Sequence, residues 1–321
     1  MKIYSFFQRY LHKLILSPKF LREATFNIEC SFVRNATMPD NHVFICGLAR
    51  SGSTSLLNTL HDTNEFSSLT YVDMPFIFAP NLWSNVSQFF DEGALHERAH
   101  KDGIKVSNAS PEAFEEIFWN TFSGSAEIQE QFYRYVNNII HKYKKPRYLS
   151  KNNHNIKRLK EITGYFPSSH ILVPFREPYQ QAASLLHQHL HFCKAAEQNR
   201  FIKEYMLLTG HTEFGPNYCP VKTNKLRFMD FNNINHWIEQ WTLAYSDILD
   251  VCSSYKNIHI LCFEKMYSYE EPWDTLNMTL KTKCNGWDYL PNLKHVGATD
   301  IDKGLISRAK GIYEELSKYS I

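Results

Sequence analysis

The run HVFICGLARSGSTSLLNTL, residues 42–60, constrains the chain more than any other stretch. Its opening apolar residues stop at Gly47, the pattern of a short strand buried on both faces. Hydroxyl residues then lead an apolar run, which predicts a helix from Ser53 to Leu60. Strand, glycine loop and helix in that order point to an α/β fold. Gly47, Gly52 and Thr54 also have the spacing of a nucleoside-triphosphate loop, but Ser53 stands where that loop holds lysine. The N–H groups that open a helix favour an anion. Ser51, Ser53 and Thr54 add hydroxyl donors, and Arg50 adds a planar fork suited to phosphate. The plain alternative is a strand-to-helix turn in which glycine serves geometry alone.

Further apolar runs repeat the pattern. RYLSK (147–151), HILVPF (170–175, with Pro174 predicted to end it) and IHILCF (258–263) read as strands. Residues 155–165, 178–191, 233–255 and 305–319 read as helices, and the aromatic-rich stretch 76–145 as mostly helical. Such alternation predicts a doubly wound parallel sheet of the P-loop type, flanked by helices and carrying helical insertions. The expected organisation of the 321 residues is an N-terminal helical extension over 1–40 and a single α/β domain over 41–321. Ligands of these sheets bind beyond the carboxyl ends of the strands. The loop after Gly47, Lys151 and Arg176 therefore point at one crevice.

Composition narrows the classes. A formal net charge of +2 gives no ground for a nucleic-acid partner. The seven cysteines are scattered, without a C-x-x-C pair or metal-ligand spacing, which favours reduced thiols in a reducing compartment and so a cytoplasmic location. Sequons at Asn35, Asn85, Asn108 and Asn277 carry little weight in a chain rich in Asn, Ser and Thr. No run approaches the roughly 18 apolar residues needed to span a membrane. Near the N-terminus, Ile3, Phe6, Phe7, Tyr10 and Leu14 form a helical stripe among Lys2, Arg9 and Lys13. It reads as a first helix packed on the domain, with peripheral membrane association as the alternative.

Three predicted strand ends carry chemistry. Arg176 follows HILVPF, and Ser184 lies about two helical turns further on, where it faces the same crevice. Together they suit a second phosphate clamp. Lys151, in SKNNHN, is placed to hold or protonate a leaving oxygen. Each alone also reads as an ordinary salt-bridged or solvated side chain. The set resembles the sulfotransferases that use 3'-phosphoadenosine-5'-phosphosulfate (PAPS). GLARSGST is similar to the family's 5'-phosphosulfate loop, YFP followed by HILVPFREPYQQAASLL to its 3'-phosphate strand and helix, and YLSKNN to its lysine segment. ILCFEKM resembles the family's late Tyr-Glu-Asp-Leu turn, with Phe263 for the tyrosine. The likeness runs from residue 43 to about 310, closest to the branch with tyrosylprotein and bacterial carbohydrate sulfotransferases.

The resemblance implies sulfuryl transfer from PAPS, without a metal, to an acceptor hydroxyl. Arg50, Ser51, Gly52, Ser53, Thr54, Arg176 and Ser184 would bind the donor, and Lys303, in HVGATDIDKGLIS, would add a late contact. Lys151 is the implied catalytic lysine. In the tyrosylprotein branch the base is a glutamate about 21 residues after the loop arginine, a position that is Tyr71 here. Asp73 is the nearest carboxylate and the expected base, with His187, His189 and His191 as alternatives. The branch favours a carbohydrate acceptor, ahead of a peptide tyrosine and then a lipid or small phenol. Trp83 lines either the acceptor pocket or the core. A P-loop nucleotide kinase is the competing enzyme class, and a non-enzymatic anion-binding protein the competing non-enzyme.

Overall fold

The structure is a computed structural model that describes residues 6–34, 39–87, 95–98, 100, 102–223, 226–287 and 300–321. Its strands are β1 (Val43–Ile45), β2 (Phe66–Ser67), β3 (His96–Glu97), β4 (Lys105–Val106), β5 (Arg147–Lys151), β6 (His170–Phe175) and β7 (Ile258–Cys262). Five of them make a parallel sheet in the order β2-β5-β1-β6-β7, while β3 and β4 form a separate antiparallel hairpin. β1 is central, with Ile45 level with Lys151 on β5 and with Leu172 on β6. That register brings the loop after β1 beside the ends of β5 and β6.

The pleat sorts side chains into two cores. Phe44, Tyr148, Ile171, Val173 and Ile260 join the aromatic-rich core on one face, with Phe118, Phe132, Trp237 and Trp241. Val43, Ile45, Leu149, Leu172 and Leu261 join the other, with Leu56, Leu57, Leu60 and Leu276. Alternate residues facing opposite layers is the period of two expected of a strand covered on both sides.

Pro174 does not end β6, which runs on to Phe175. β1 pairs β6 only as far as Leu172, so the N–H missing at Pro174 breaks no ladder bond on that side. The Pro174 carbonyl accepts from Tyr245 Oη at 2.8 Å. The helix predicted over 155–165 is divided into a 3-10 turn (Asn153–Lys157) and an α-helix (Leu159–Tyr165). β7 stops at Cys262, and Phe263 opens a short helix, Phe263–Ser268.

Before β1, helices Phe6–Leu16 and Lys19–Phe32 pack on the sheet domain. Phe26 sits against Phe78 and Phe122. Buried Glu29 accepts from the backbone N–H of Asn81 (2.7 Å) and Leu82 (3.2 Å), at the start of the helix Pro80–Ser87. It thereby serves donors that a helix cannot satisfy internally. Among the described residues no helix is long and apolar enough to cross a membrane.

Candidate functional site

The loop after β1 is fixed by two close approaches. A Cβ on Gly47 would lie 2.6 Å from the Pro174 carbonyl oxygen, and one on Gly52 would lie 2.6 Å from the Phe263 ring. Gly52 has φ 87° and Arg50 φ 69°, both left-handed. Gln181, in the helix Pro178–Gln198, donates to the carbonyls of Ala49 (3.0 Å) and Leu48 (3.4 Å). Its Oε1 accepts from Arg176 N and Trp241 Nε1, so one amide ties the loop to β6 and to the helix Ile234–Cys252. The loop leads into the helix Ser53–His61, whose first N–H groups have no intrahelical partner. Ser51, on this loop, is fully buried, close to the Tyr245 hydroxyl.

Arg50 Nε donates to Ser184 Oγ at 3.1 Å, so the loop arginine and the helix serine meet directly. Arg50 Nη1 lies 2.7 Å from Asp102 Oδ2. Arg98 grips the same carboxylate and also donates to Thr54 Oγ1 at 3.2 Å. Burial alone would raise the Asp102 carboxyl, but the Arg98 and Arg50 guanidiniums override it and hold it well below the usual carboxylate range. Arg176 is buried at the end of β6 with its guanidinium 4.9 Å from the Phe263 ring centre. Phe263 lies against Arg176 and against the Gly52 turn.

A cleft of about 1310 Å³, counted with its open mouth, adjoins this loop and is lined by Arg50, Ser53, Thr54, Arg98, Glu112, Lys151 and Glu213 among others. Lys151 closes β5, and its Nζ makes no hydrogen bond or ion pair among the described residues. Burial lowers its pKa from the ordinary lysine value. Glu112 and Glu213 oppose that shift, while Arg98 and Arg50 reinforce it. Glu112 accepts from the hydroxyl of Tyr71. Glu213 accepts from Asn153 Nδ2 at 2.8 Å and lies 2.7 Å from His211 Nδ1. Burial pushes Glu213 up, but His211, His154 and Lys151 outweigh it and keep the carboxyl well below its usual value. His100, stacked on His211, is held well below the ordinary histidine value by burial and by neighbouring cations.

Asp73 does not line this cleft. It is completely buried at the end of a 3-10 turn (Tyr71–Asp73), paired with Lys142, and accepts from Tyr143 Oη and from Thr70 N at 2.8 Å. Its oxygens are taken up by a capping box and a buried ion pair, a structural use rather than a site for an acceptor proton. Asp73→Asn should therefore destabilise the fold by about 3–5 kcal/mol in denaturant titration and leave turnover per folded molecule unchanged.

The histidine alternatives also lie outside the cleft lining. His189 Nδ1 accepts from Gly215 N at 3.1 Å, and the ring packs on Trp237. His187 is exposed and stacks with His191. Trp83 donates to the Val72 carbonyl at 2.8 Å and packs on Phe76. Lys303 is exposed in the first turn of the helix Lys303–Tyr319 and does not line the cleft, and the preceding residues 288–299 lie outside the described part of the chain.

Four side chains of this site have no sequence signal of their own. Arg98 and Asp102 come from the β3–β4 hairpin, Glu112 from the approach to the helix Glu115–Phe122, and Glu213 from a loop. Only tertiary placement brings them to the β1 loop. Among the described residues no group of three or more metal-ligating side chains is assembled.

The chain is similar to a sulfotransferase of Mycobacterium tuberculosis H37Rv, with 12% identity over 84% of this chain and 74% of that one and a TM-score of 0.49. It is similar to a sulfotransferase of Mycobacterium avium at 10% identity, over 100% of this chain and 83% of the other, with a TM-score of 0.46. For the sulfotransferase domain of the curacin biosynthetic pathway the values are 15%, 88%, 99% and 0.43. No curated protein sequence matches the chain. The sequence profile of the Sulfotransferase family matches residues 42–273, from the strand that precedes the glycine loop to beyond β7. The chain belongs to the sulfotransferase family, and it is a sulfotransferase enzyme.

Proposed function

We propose that this enzyme transfers a sulfuryl group from PAPS to an acceptor hydroxyl in the cleft beside Lys151. The observation that carries this reading is Lys151 itself: a half-buried cation at the end of the strand beside the glycine loop, with no hydrogen bond or ion pair among the described residues. The loop fits a phosphosulfate. It offers the N–H groups that open the helix Ser53–His61, with Arg50 beside them. Arg176 and Ser184 are the proposed clamp for the 3'-phosphate. The family generally uses PAPS as its donor.

When bound, PAPS supplies a sulfuryl group on a bridging oxygen that departs with the 5'-phosphate. The loop and Arg50 hold the anion. Lys151 would stabilise the charge that builds on the leaving oxygen, a role typically worth a few kcal/mol. Glu112, in place of Asp73, takes the acceptor proton, with Tyr71 fixing the carboxylate's direction. The missing loop lysine follows from the donor: a single 5'-phosphate has no β- and γ-phosphates to screen. The reduced cysteines suit a cytoplasmic enzyme.

Binding separates this reading from a kinase. 3',5'-Adenosine bisphosphate at about 100 times its Kd should stabilise the protein by ~2.7 kcal/mol in a thermal shift. Stabilisation by ATP with magnesium, and none by the bisphosphate, would sink the sulfotransferase donor.

A further inference from the structure

One cation of the cleft belongs to no sequence motif. Arg98 follows β3 and is only 8% exposed, and its backbone N–H donates to the Ile104 carbonyl at 3.1 Å across the hairpin. Its guanidinium is held on two sides. Nε donates to Asp102 Oδ1 at 2.9 Å and Nη2 to Oδ2, a paired grip on one carboxylate. Nη1 donates to Thr54 Oγ1 at 3.2 Å. A guanidinium carries five N–H donors, and these bonds use three of them. The other two have no protein partner among the described residues. A buried donor left without an acceptor is costly, and an anion with several oxygens would remove that cost.

Arg98 also stands between the two ends of the reaction. At one end it touches Thr54, in the first turn of the helix that the glycine loop opens. At the other lie Glu112 and Tyr71, close enough to act on its charge: burial works against that charge, but Asp102, Glu112 and Tyr71 outweigh burial and keep the proton bound. Arg98, Thr54, Lys151 and Glu112 line one cleft. We infer that Arg98 binds the sulfuryl oxygens of the donor through the N–H groups that the protein leaves open, and holds them as the group passes to the acceptor. The inference rests on the sulfuryl-transfer reading. In that step the acceptor oxygen forms the new S–O bond and its proton passes to Glu112. The bridging S–O bond breaks with its electron pair leaving on the 5'-phosphate. Arg98 stays protonated throughout.

The test compares two ligands on the full chain. 3',5'-Adenosine bisphosphate keeps both phosphates of PAPS and lacks only the sulfuryl group. Calorimetric titration of each, without acceptor, therefore isolates the contacts made to the sulfuryl oxygens. Arg98→Gln should weaken PAPS by about tenfold or more, the scale of hydrogen bonds to a charged group, and leave the bisphosphate within about twofold. Asp102 keeps its bond to Arg50 in that variant, so the fold should persist. Should Arg98→Gln not fold, Arg98→Lys keeps a cation for Asp102 but loses the planar fork, and should show the same selective loss.

A selective loss of PAPS supports the inference. Equal weakening of both ligands would assign Arg98 to a phosphate and overturn it. Unchanged binding of both by a folded variant would reduce Arg98 to a partner of Asp102 and overturn it too. In either case the parent still binds both ligands and the donor reading stands. A parent chain that binds neither PAPS nor the bisphosphate overturns the donor reading, and this inference with it.

Discussion

Replacing Lys151 with methionine should lower kcat by about 10²–10³-fold while 3',5'-adenosine bisphosphate still binds. The two readouts separate because the proposed holders of the donor's anionic groups, Arg50, the helix-start N–H groups and Arg176, lie elsewhere. Among the described residues Lys151 makes no hydrogen bond or ion pair, although its charge helps keep the Glu213 carboxyl below its usual value. A merely structural lysine would lose stability and activity together. Here stability should move the other way. Burial lowers the folded-state pKa of Lys151 below the unfolded lysine value, so the folded chain binds this proton less tightly than the unfolded one. The resulting penalty is complete below the folded-state value and fades as pH rises through the ordinary lysine range. At neutral pH the methionine variant, free of that desolvated charge, should melt at a higher temperature than the parent. A variant that melts lower, or that loses bisphosphate binding along with turnover, would remove Lys151 from the proposed role.

The same residue shows how far the sequence reaches. Lys151, Arg50, Ser53 and Thr54 were legible because each belongs to a strand end or a glycine loop, and local pattern fixes where a parallel strand delivers its last side chain. β5 and β6 occupy the residues predicted for them, 147–151 and 170–175. β2 escaped because two residues are too few to show a period. The proposed general base escaped for a different reason. A sequence reading takes the nearest carboxylate along the chain, which is Asp73, yet a capping box and a buried ion pair absorb that residue. The carboxylates that line the cleft, Glu112, Glu116 and Glu213, are well removed along the chain and adjacent only through the fold. Position 71, where the resemblance led to an expected acid, holds a tyrosine that donates to Glu112. The carboxylate expected there is thus supplied from another segment, and no local periodicity encodes the substitution.

Glu112→Gln should therefore lower kcat by about 10²–10⁴-fold, the usual span for loss of a general base. Glutamine preserves the size and can still accept from Tyr71, so the fold and the bisphosphate thermal shift should persist. The diagnostic is the dependence on the acceptor. A phenol acidic enough to ionise unaided needs no protein base, so the loss should shrink steadily along a series of increasingly acidic phenols. Tyr71→Phe removes only the hydroxyl that aims the carboxylate. As a positioning change it should cost about tenfold in kcat, the scale of one hydrogen bond to a charged group, with KM for the acceptor unmoved. Equal losses for weakly and strongly acidic phenols would show that Glu112 only shapes the cleft. The proton would then have to leave through Glu213, whose carboxyl is kept well below its usual value by His211, His154 and Lys151 and is correspondingly poor at taking one.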